Sequence, residues 1–161
     1  MPGHGYFASL ATALLTAGAV SLAVASAPSP ALAAGNARGQ IEAALTRWKD
    51  DFNAGRAGRV CDLFARDLRA DFRGQPVRGH DALCALLHRS LADTRRSYAY
   101  GLSIREILVW GDPAVVRLTW TLTVRRRDGG RAATSVEPGL DVFRRQRDGH
   151  WRIVRYIAYA Q

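Results

Sequence analysis

The chain has 161 residues, the length of one domain, and its 23 basic and 14 acidic residues give a net charge of +9. Lys49 is the only lysine, and apart from a run at residues 125–127 the arginines are scattered along the sequence. Proteins that bind nucleic acids concentrate basic residues on one face, so this distribution argues against a nucleic-acid partner and leaves open a loose attraction to anionic surfaces or ligands.

The first 34 residues differ from the rest, because they contain no Lys, Arg, Asp or Glu. An apolar stretch at residues 10–25 is followed by two prolines and a segment of small residues. This order predicts a secretory signal peptide, residues 1–34, cleaved near Ala33 or Ala34 to leave residues 35–161 as a secreted or periplasmic domain. The apolar stretch is too short for a good membrane span, so no membrane contact is expected after cleavage. A true membrane anchor and a misplaced start codon are the alternatives.

Two cysteines, Cys61 and Cys84, lie in the predicted mature domain. An even number of cysteines in an exported chain favours a disulfide, which here would close a loop of about 24 residues and contribute about 3 kcal/mol. The alternative is a pair of free thiols in the core. Metal binding is not expected, because two cysteines and four scattered histidines do not form a ligand pattern.

Three amphipathic helices are predicted in the first half of the domain. Apolar residues recur at helical spacing in residues 40–53, 57–64 and 81–91. The first helix ends in an Asn-Ala-Gly sequence, and Gly55 can adopt the left-handed conformation that closes a helix. The inner faces of the three helices consist of Ile41, Ala44, Leu45, Trp48 and Phe52, of Val60, Leu63 and Phe64, and of Leu83, Leu87 and Leu91.

The second half changes to the period of a strand. Residues 114–124 alternate strictly between apolar and polar side chains, and further strands are predicted at residues 67–72, 98–110, 132–145 and 151–159. Helices followed by a meander of long strands predict an α+β fold, with the helices across one face of a curved sheet. The conical space between them is suited to a small, mostly apolar ligand.

Several segments resemble one known family. Residues 45–55 contain an aromatic residue and the closing Asn-Ala-Gly, residues 63–67 read Leu-Phe-Ala-Arg-Asp, and residues 148–151 read Asp-Gly-His-Trp. With Gly79 before the third helix, they resemble the ketosteroid isomerases and the SnoaL-like, DUF4440-type proteins of the nuclear-transport-factor-2-like (NTF2-like) superfamily. The resemblance implies a cystatin-like cone, in which three N-terminal helices pack on a curved, mostly antiparallel sheet.

The resemblance also implies a homodimer formed through the outer face of the sheet. The outward positions of the alternating strand are Arg117, Thr119, Thr121 and Thr123. Because these side chains are polar, such an interface would contain water.

Ketosteroid isomerases use an Asp as a base, and a Tyr with a protonated Asp to hold the developing enolate oxygen. By resemblance, Asp71 is the nearest carboxylate to the base, although an ungapped alignment places Phe72 there and a shift of one residue changes the face of a strand. Asp141 corresponds to the protonated Asp. Trp48 stands in the place of the Tyr and offers one N–H donor without an acidic hydroxyl.

Each candidate also has a structural interpretation. Asp71 could be a solvated residue at the end of a strand. Asp141 lies in an apolar context and could form an ion pair with a nearby arginine, because a buried carboxylate needs a partner or a raised pKa. Trp48 could simply pack in the core.

The sequence therefore predicts an exported protein with a pocket for a small apolar ligand, with Asp71 and Asp141 as candidate proton-transfer residues and no cofactor. The residues expected to contact the ligand are Trp48, Phe72, Trp120 and Glu137. The activity would be that of a ketosteroid-isomerase-like isomerase or a lyase, and the missing Tyr argues against true steroid isomerisation. The alternatives are a non-catalytic binding protein and a dimeric interaction module.

Overall fold

The computed structural model describes residues 30–159, which form two α-helices, one short 3-10 helix and five strands. The helices are α1 (Pro30–Asn53) and α2 (His80–Ala92), and the 3-10 helix spans Ala57–Arg59. The strands are β1 (Phe64–Phe72), β2 (Arg96–Val109), β3 (Pro113–Arg126), β4 (Ala133–Arg145) and β5 (Trp151–Ala158). The predicted signal peptide lies outside the described residues except for its last five positions, where α1 begins.

The five strands form one mixed sheet in the order β1-β5-β4-β3-β2. Only the β1–β5 pair is parallel, and the other three pairs are antiparallel. The last strand of the chain therefore lies inside the sheet, between the first strand and the hairpin meander β2-β3-β4. The prediction of an α+β fold with a mostly antiparallel sheet is confirmed.

One face of the sheet carries the core, and α1 packs against it. The apolar stripe of α1 includes Ile41, Leu45 and Phe52, none more than 1% exposed, and Trp48 at 6%. On β3 the inward positions alternate as the sequence predicts, because a strand exposes successive side chains to opposite faces. The inward residues of β3 are Ala114, Val116, Leu118 and Trp120, all buried.

The C-terminal end of α1 is fixed to β2 by a pair of hydrogen bonds. The side-chain amide of Asn53 donates to the carbonyl of Tyr100, and its oxygen accepts from the Tyr100 backbone N–H, both at 2.8 Å. The chain then turns at Gly55, whose φ of 71° is in the left-handed region that a residue without Cβ adopts at low cost. These contacts hold the end of α1 against β2, an edge strand of the sheet.

The predicted second helix at residues 57–64 is wrong, and the fold has two α-helices instead of three. Only the single turn Ala57–Arg59 is helical, and β1 begins at Phe64. The reason is pairing with β5: the Ile153 N–H donates to the carbonyl of Leu63 at 2.9 Å, and Phe64 is in register with Ile153. This pairing of backbone groups with another strand outweighs the weak helical preference of so short a segment.

A disulfide joins Cys61, which precedes β1, to Cys84 on α2, with the two Cα atoms 5.6 Å apart. The predicted bridge is therefore present, and it ties α2 to the start of β1. On the same helix, Leu83 and Leu87 are buried against the core. Neither of the two described α-helices is long and apolar enough to cross a membrane.

Candidate functional site

A row of side chains crosses the inner face of the sheet at the level of Asp141. Asp141 on β4 is in register with Val116 on β3 and with Tyr156 on β5, and Tyr156 is in turn in register with Ala70 on β1. Residues in register on neighbouring strands present their side chains to the same face. The carboxyl of Asp141 and the phenol of Tyr156 are therefore neighbours inside the cone.

Asp141 is fully buried, and neither of its carboxylate oxygens has a hydrogen-bond partner among residues 34–159. Burial raises its pKa well above the ordinary range of an aspartate. The ion pair with an arginine that the sequence allows is not observed. A carboxyl kept neutral by burial carries an O–H that can donate a hydrogen bond.

Tyr156, Tyr100 and Glu137 share the inner face of the sheet with Asp141. Burial, assisted by the negative charges of Asp141 and Glu137, raises the pKa of Tyr156 well above its usual value. Burial and the charge of Glu137 likewise raise the pKa of Tyr100. Both phenols therefore keep their protons at neutral pH and remain hydrogen-bond donors. We call these four residues, Tyr100, Glu137, Asp141 and Tyr156, the inner-face cluster.

Glu137 is the second carboxyl of this cluster and differs from Asp141 in its surroundings. It is half-buried and in register with Trp120, and the hydroxyl of Ser135 donates to it at 3.3 Å. Burial raises its pKa, and the Ser135 hydrogen bond opposes that shift. Glu137 and Asp141 are four residues apart on one strand, a separation of about 14 Å. The two carboxyls are thus at opposite ends of the cluster.

Trp48 lies in an aromatic core that closes one side of the cluster. Its indole N–H donates to the carbonyl of Val60 at 2.8 Å, and its ring centroid is 5.3 Å from that of Tyr100 and 5.1 Å from that of Trp120. The N–H is therefore engaged by the backbone. The predicted contacts of Trp48 and Trp120 with a ligand remain predictions, and in the structure both rings pack against each other.

Phe72 and Asp71 lie on opposite faces of β1. The Phe72 ring faces inward, with its centroid 5.4 Å from that of Tyr156. Asp71, the neighbour of Phe72, is on the other face, as the alternation of a strand requires. The structure thus brings Phe72, Glu137 and Asp141 to one face and places Asp71 away from them, and its role as the base remains a prediction.

Tyr100 and Tyr156 are the members of the cluster that the sequence did not single out. Tyr100 could have been found, because Tyr98, Tyr100 and Leu102 alternate with the small residues Ala99, Gly101 and Ser103. Tyr156 is harder to assign, because the register of β4 and β5 shifts between Val142 and Phe143. This irregularity changes which residues of β5 face inward.

A cavity of about 840 Å³ lies between α1, the loop before β1 and the β4–β5 turn. Its lining includes Arg47, Trp48, Arg59 and Trp151, with charges of both signs. It shares no residue with the inner-face cluster. Within the described part of the chain, no group of three or more His, Cys, Asp or Glu side chains is placed to hold a metal ion.

Solved structures with the same architecture come from several bacteria. A ketosteroid isomerase-like protein from Erwinia carotovora atroseptica is 22% identical and superposes with a TM-score of 0.62 over 76% of this chain and 94% of its own. A candidate scytalone dehydratase from Novosphingobium aromaticivorans is 18% identical, with a TM-score of 0.68 over 78% of this chain and 85% of its own. An NTF2-like superfamily protein from Salmonella enterica serovar Typhimurium is also 18% identical, with a TM-score of 0.66 over 78% and 92%.

At these identities the likeness shows a shared fold alone. No curated protein matches the sequence. The sequence model of the SnoaL-like domain, however, matches residues 45–156, which include α1 from Leu45 onwards, α2 and the whole inner-face cluster. The chain has the NTF2-like fold and belongs to the SnoaL-like domain family.

Proposed function

We propose that the inner-face cluster binds a small, mostly apolar molecule with a carbonyl or similar acceptor, and that Asp141 donates a hydrogen bond to it. The observation that carries the proposal is the buried carboxyl of Asp141, which has no partner among the described residues and a raised pKa. An unpartnered buried polar group is costly, and such groups occur where a ligand completes the hydrogen bonding. The aromatic rings of Phe72, Tyr100 and Trp120 supply apolar walls.

The same geometry supports proton transfer as the chemistry of the site. The half-buried Glu137, with its raised pKa, is suited to take a proton from a carbon that is conjugated with the carbonyl and lies at the Glu137 end of the cluster. The O–H of Asp141 and the phenol of Tyr156 would then stabilise the negative charge that develops on the carbonyl oxygen. We propose the reaction class of an isomerase or lyase on this basis, with Glu137 as the base in preference to Asp71 because it lies on the inner face.

The test is the ultraviolet absorbance of a Δ5-3-ketosteroid incubated with the purified mature protein. Because the phenol of Tyr156 beside Asp141 can replace the donor that is missing at Trp48, the wild type and Asp71→Asn are expected to form the conjugated enone. Glu137→Gln is expected to lose the activity. Asp141→Asn should reduce kcat by about 10²-fold, the usual effect of removing one oxyanion donor. If none of the proteins changes the spectrum, steroid isomerisation is ruled out.

The binding part of the proposal has its own measurement, fluorescence titration with a naphthol, whose oxygen mimics an enolate. Asp141→Leu removes the donor without introducing a charge and should weaken binding at least tenfold, whereas Asp71→Leu should not. Equal affinities of the wild type and Asp141→Leu would contradict the binding role of Asp141.

A second candidate function, a homodimeric interaction module, is favoured by apolar side chains on the outer face of the sheet. Leu140 is 39% and Val136 is 40% exposed, and they are in register with Arg117 and Thr121, two of the predicted interface residues. We propose that this face dimerises. Light scattering should give twice the monomer mass for the wild type and the monomer mass for Leu140→Glu; a wild-type monomer would contradict this proposal.

Export is also part of the proposal. The disulfide is consistent with an oxidising compartment, and the charge-free first 34 residues have the composition of a signal peptide. Mass spectrometry of the protein from its native host should find a mature N-terminus near residue 34 or 35. An intact N-terminal Met in the cytoplasmic fraction would contradict export.

A further inference from the structure

We propose that the Cys61–Cys84 disulfide is an exchange site that reacts with a small thiol, with Cys61 as the attacked sulfur. Each sulfur lies beside an imidazole: Cys61 Sγ is 3.5 Å from His88 Nε2, and Cys84 Sγ is 3.6 Å from His80 Nε2. His80, Cys84 and His88 are spaced by four residues on α2, so they lie along one face of the helix. This arrangement is independent of the inner-face cluster.

The two sulfurs differ in access. Cys61 is partly exposed and lines a cavity of about 530 Å³, whereas Cys84 is 8% exposed and is not part of that lining. An incoming thiolate therefore reaches Cys61 first. Thiolate attack follows the line of the S–S bond, so the electron pair departs on Cys84, on the side away from the cavity.

The cavity beside Cys61 is lined by charges of both signs. The charged residues of its lining are Arg66, Arg144, Arg152, Asp62 and Asp67, with His80 in addition. Each arginine has a carboxylate partner: Arg144 pairs with Asp67 at 2.8 Å, Arg152 with Asp148 at 2.7 Å and Arg66 with Asp81 at 3.7 Å. The cavity is therefore a polar entrance through which a small thiol can reach Cys61.

The first step forms a bond between the incoming sulfur and Cys61 Sγ and breaks the Cys61–Cys84 bond. The departing thiolate of Cys84 lies next to His80, whose ring can donate to it from an Nε2–H. Asp81 Oδ1, 2.8 Å from Nδ1 of the same ring, orients it for this contact, and Arg66 lies 3.4 Å from that nitrogen. A leaving thiolate that is stabilised departs faster.

In the second step, a second thiolate attacks the external sulfur of the mixed disulfide. The external disulfide is released, and Cys61 departs as a thiolate beside His88. Two external thiols are oxidised to one disulfide. The protein gains the two electrons that they lose, so the exchange is balanced. The reverse sequence would re-form the bridge and reduce an external disulfide to two thiols.

The test uses the oxidised full domain and reduced glutathione at pH 7.5 without denaturant. Samples are acid-quenched at intervals and alkylated, and peptide mass spectrometry then identifies the cysteine that carries glutathione. We expect the mixed disulfide on Cys61. The rate of bridge opening should rise with glutathione concentration and fall about tenfold in His80→Gln.

Two further variants control this result. His150→Gln replaces an exposed histidine away from the bridge and should react at the wild-type rate. His88→Gln, at an exposed position, should accumulate the mixed disulfide because the second step is slowed. A mixed disulfide on Cys84, wild-type rates in both His80→Gln and His88→Gln, or an opening rate independent of glutathione would overturn the proposal; the last result would identify a structural crosslink that opens only on unfolding.

Discussion

Asp141 is the residue whose ionisation the fold most clearly opposes. Burial raises its pKa, so the folded protein holds a proton that the unfolded chain releases above about pH 4. The stability that this protonation contributes is fully present below about pH 4 and is lost as the pH rises through the folded pKa. The contribution of Asp67 to stability has the opposite pH dependence, because the hydrogen bond from Arg144 lowers the pKa of Asp67.

We therefore predict that Asp141→Leu becomes more stable than the wild type as the pH rises. At pH 7.5 the gain should be about 1–3 kcal/mol, the cost of burying a polar group without a partner. Urea unfolding of both proteins at pH 4 and pH 7.5 measures the difference, and the contribution of Asp67 cancels because both proteins contain it. Parallel pH profiles would show that Asp141 does not take up a proton on folding.

A second residue-scale prediction concerns Trp48. Trp48→Phe leaves the Val60 carbonyl without its donor and opens a gap among the aromatic rings, so it should cost about 2–4 kcal/mol of unfolding free energy. Trp110→Phe is the matched control, because Trp110 is 59% exposed and its replacement should change the stability by less than about 0.5 kcal/mol. Chemical denaturation compares the two, and equal losses would contradict the packing role of Trp48.

At the scale of elements, Gly139 marks a close approach of β4 to β5. A Cβ at this position would lie 2.9 Å from the carbonyl oxygen of Ile157, closer than such atoms approach in proteins. Gly139→Ala must therefore displace backbone in the ladder between the two strands. At Gly101 on β2, by contrast, the nearest atom would be a Thr121 side-chain carbon at 3.5 Å, an ordinary contact.

We predict that Gly139→Ala destabilises the protein by about 1–3 kcal/mol, whereas Gly101→Ala is close to neutral or slightly stabilising. Thermal unfolding of the two variants makes the comparison, since both replace a strand glycine by the same residue. If Gly101→Ala cost as much as Gly139→Ala, strand propensity rather than the close approach to β5 would be the cause.

The elements themselves could be predicted where their periodicity was long and regular. The alternation of apolar residues in β3 and the apolar stripe of α1 were sufficient to predict these two elements, because each element buries one continuous face. The segment at residues 57–64 was too short for its apolar residues to distinguish a helix from the start of a strand, and pairing with β5 decided the outcome. The pattern of apolar residues within one segment does not show which distant strand the segment will pair with.

At the scale of the whole molecule, the site depends on register more than on composition. Asp141 and Glu137 were predicted from the sequence, but their relation to Tyr156 requires knowing that β5 lies beside β4 and that the pairing shifts at Val142. The assignment of Asp71 illustrates the same limit, because one residue along β1 separates the inner face from the outer. The candidate residues could be identified from the sequence, but the face of the sheet that each of them occupies could be predicted only for some of them.

The position of β5 also leads to a prediction about the complete fold. Removing residues 151–161 takes away the strand that pairs with both β1 and β4. The shortened protein should lose cooperative unfolding altogether, while removal of residues 160–161 alone should have little effect. Circular dichroism during thermal unfolding distinguishes the two shortened proteins. A cooperative transition in the protein that lacks residues 151–161 would contradict the prediction.

The same strand order has a consequence during synthesis. A ribosome releases β5 after the other four strands, and until then β1 lacks the neighbour that its backbone N–H and C=O groups require. The hairpins β2-β3 and β3-β4 can form as soon as they emerge, whereas the parallel pairing of β1 with β5 joins distant parts of the sequence and carries a large loop-closure cost. The sheet of the nascent chain is therefore expected to stay open until β5 has emerged, with β1 available to chaperones until then.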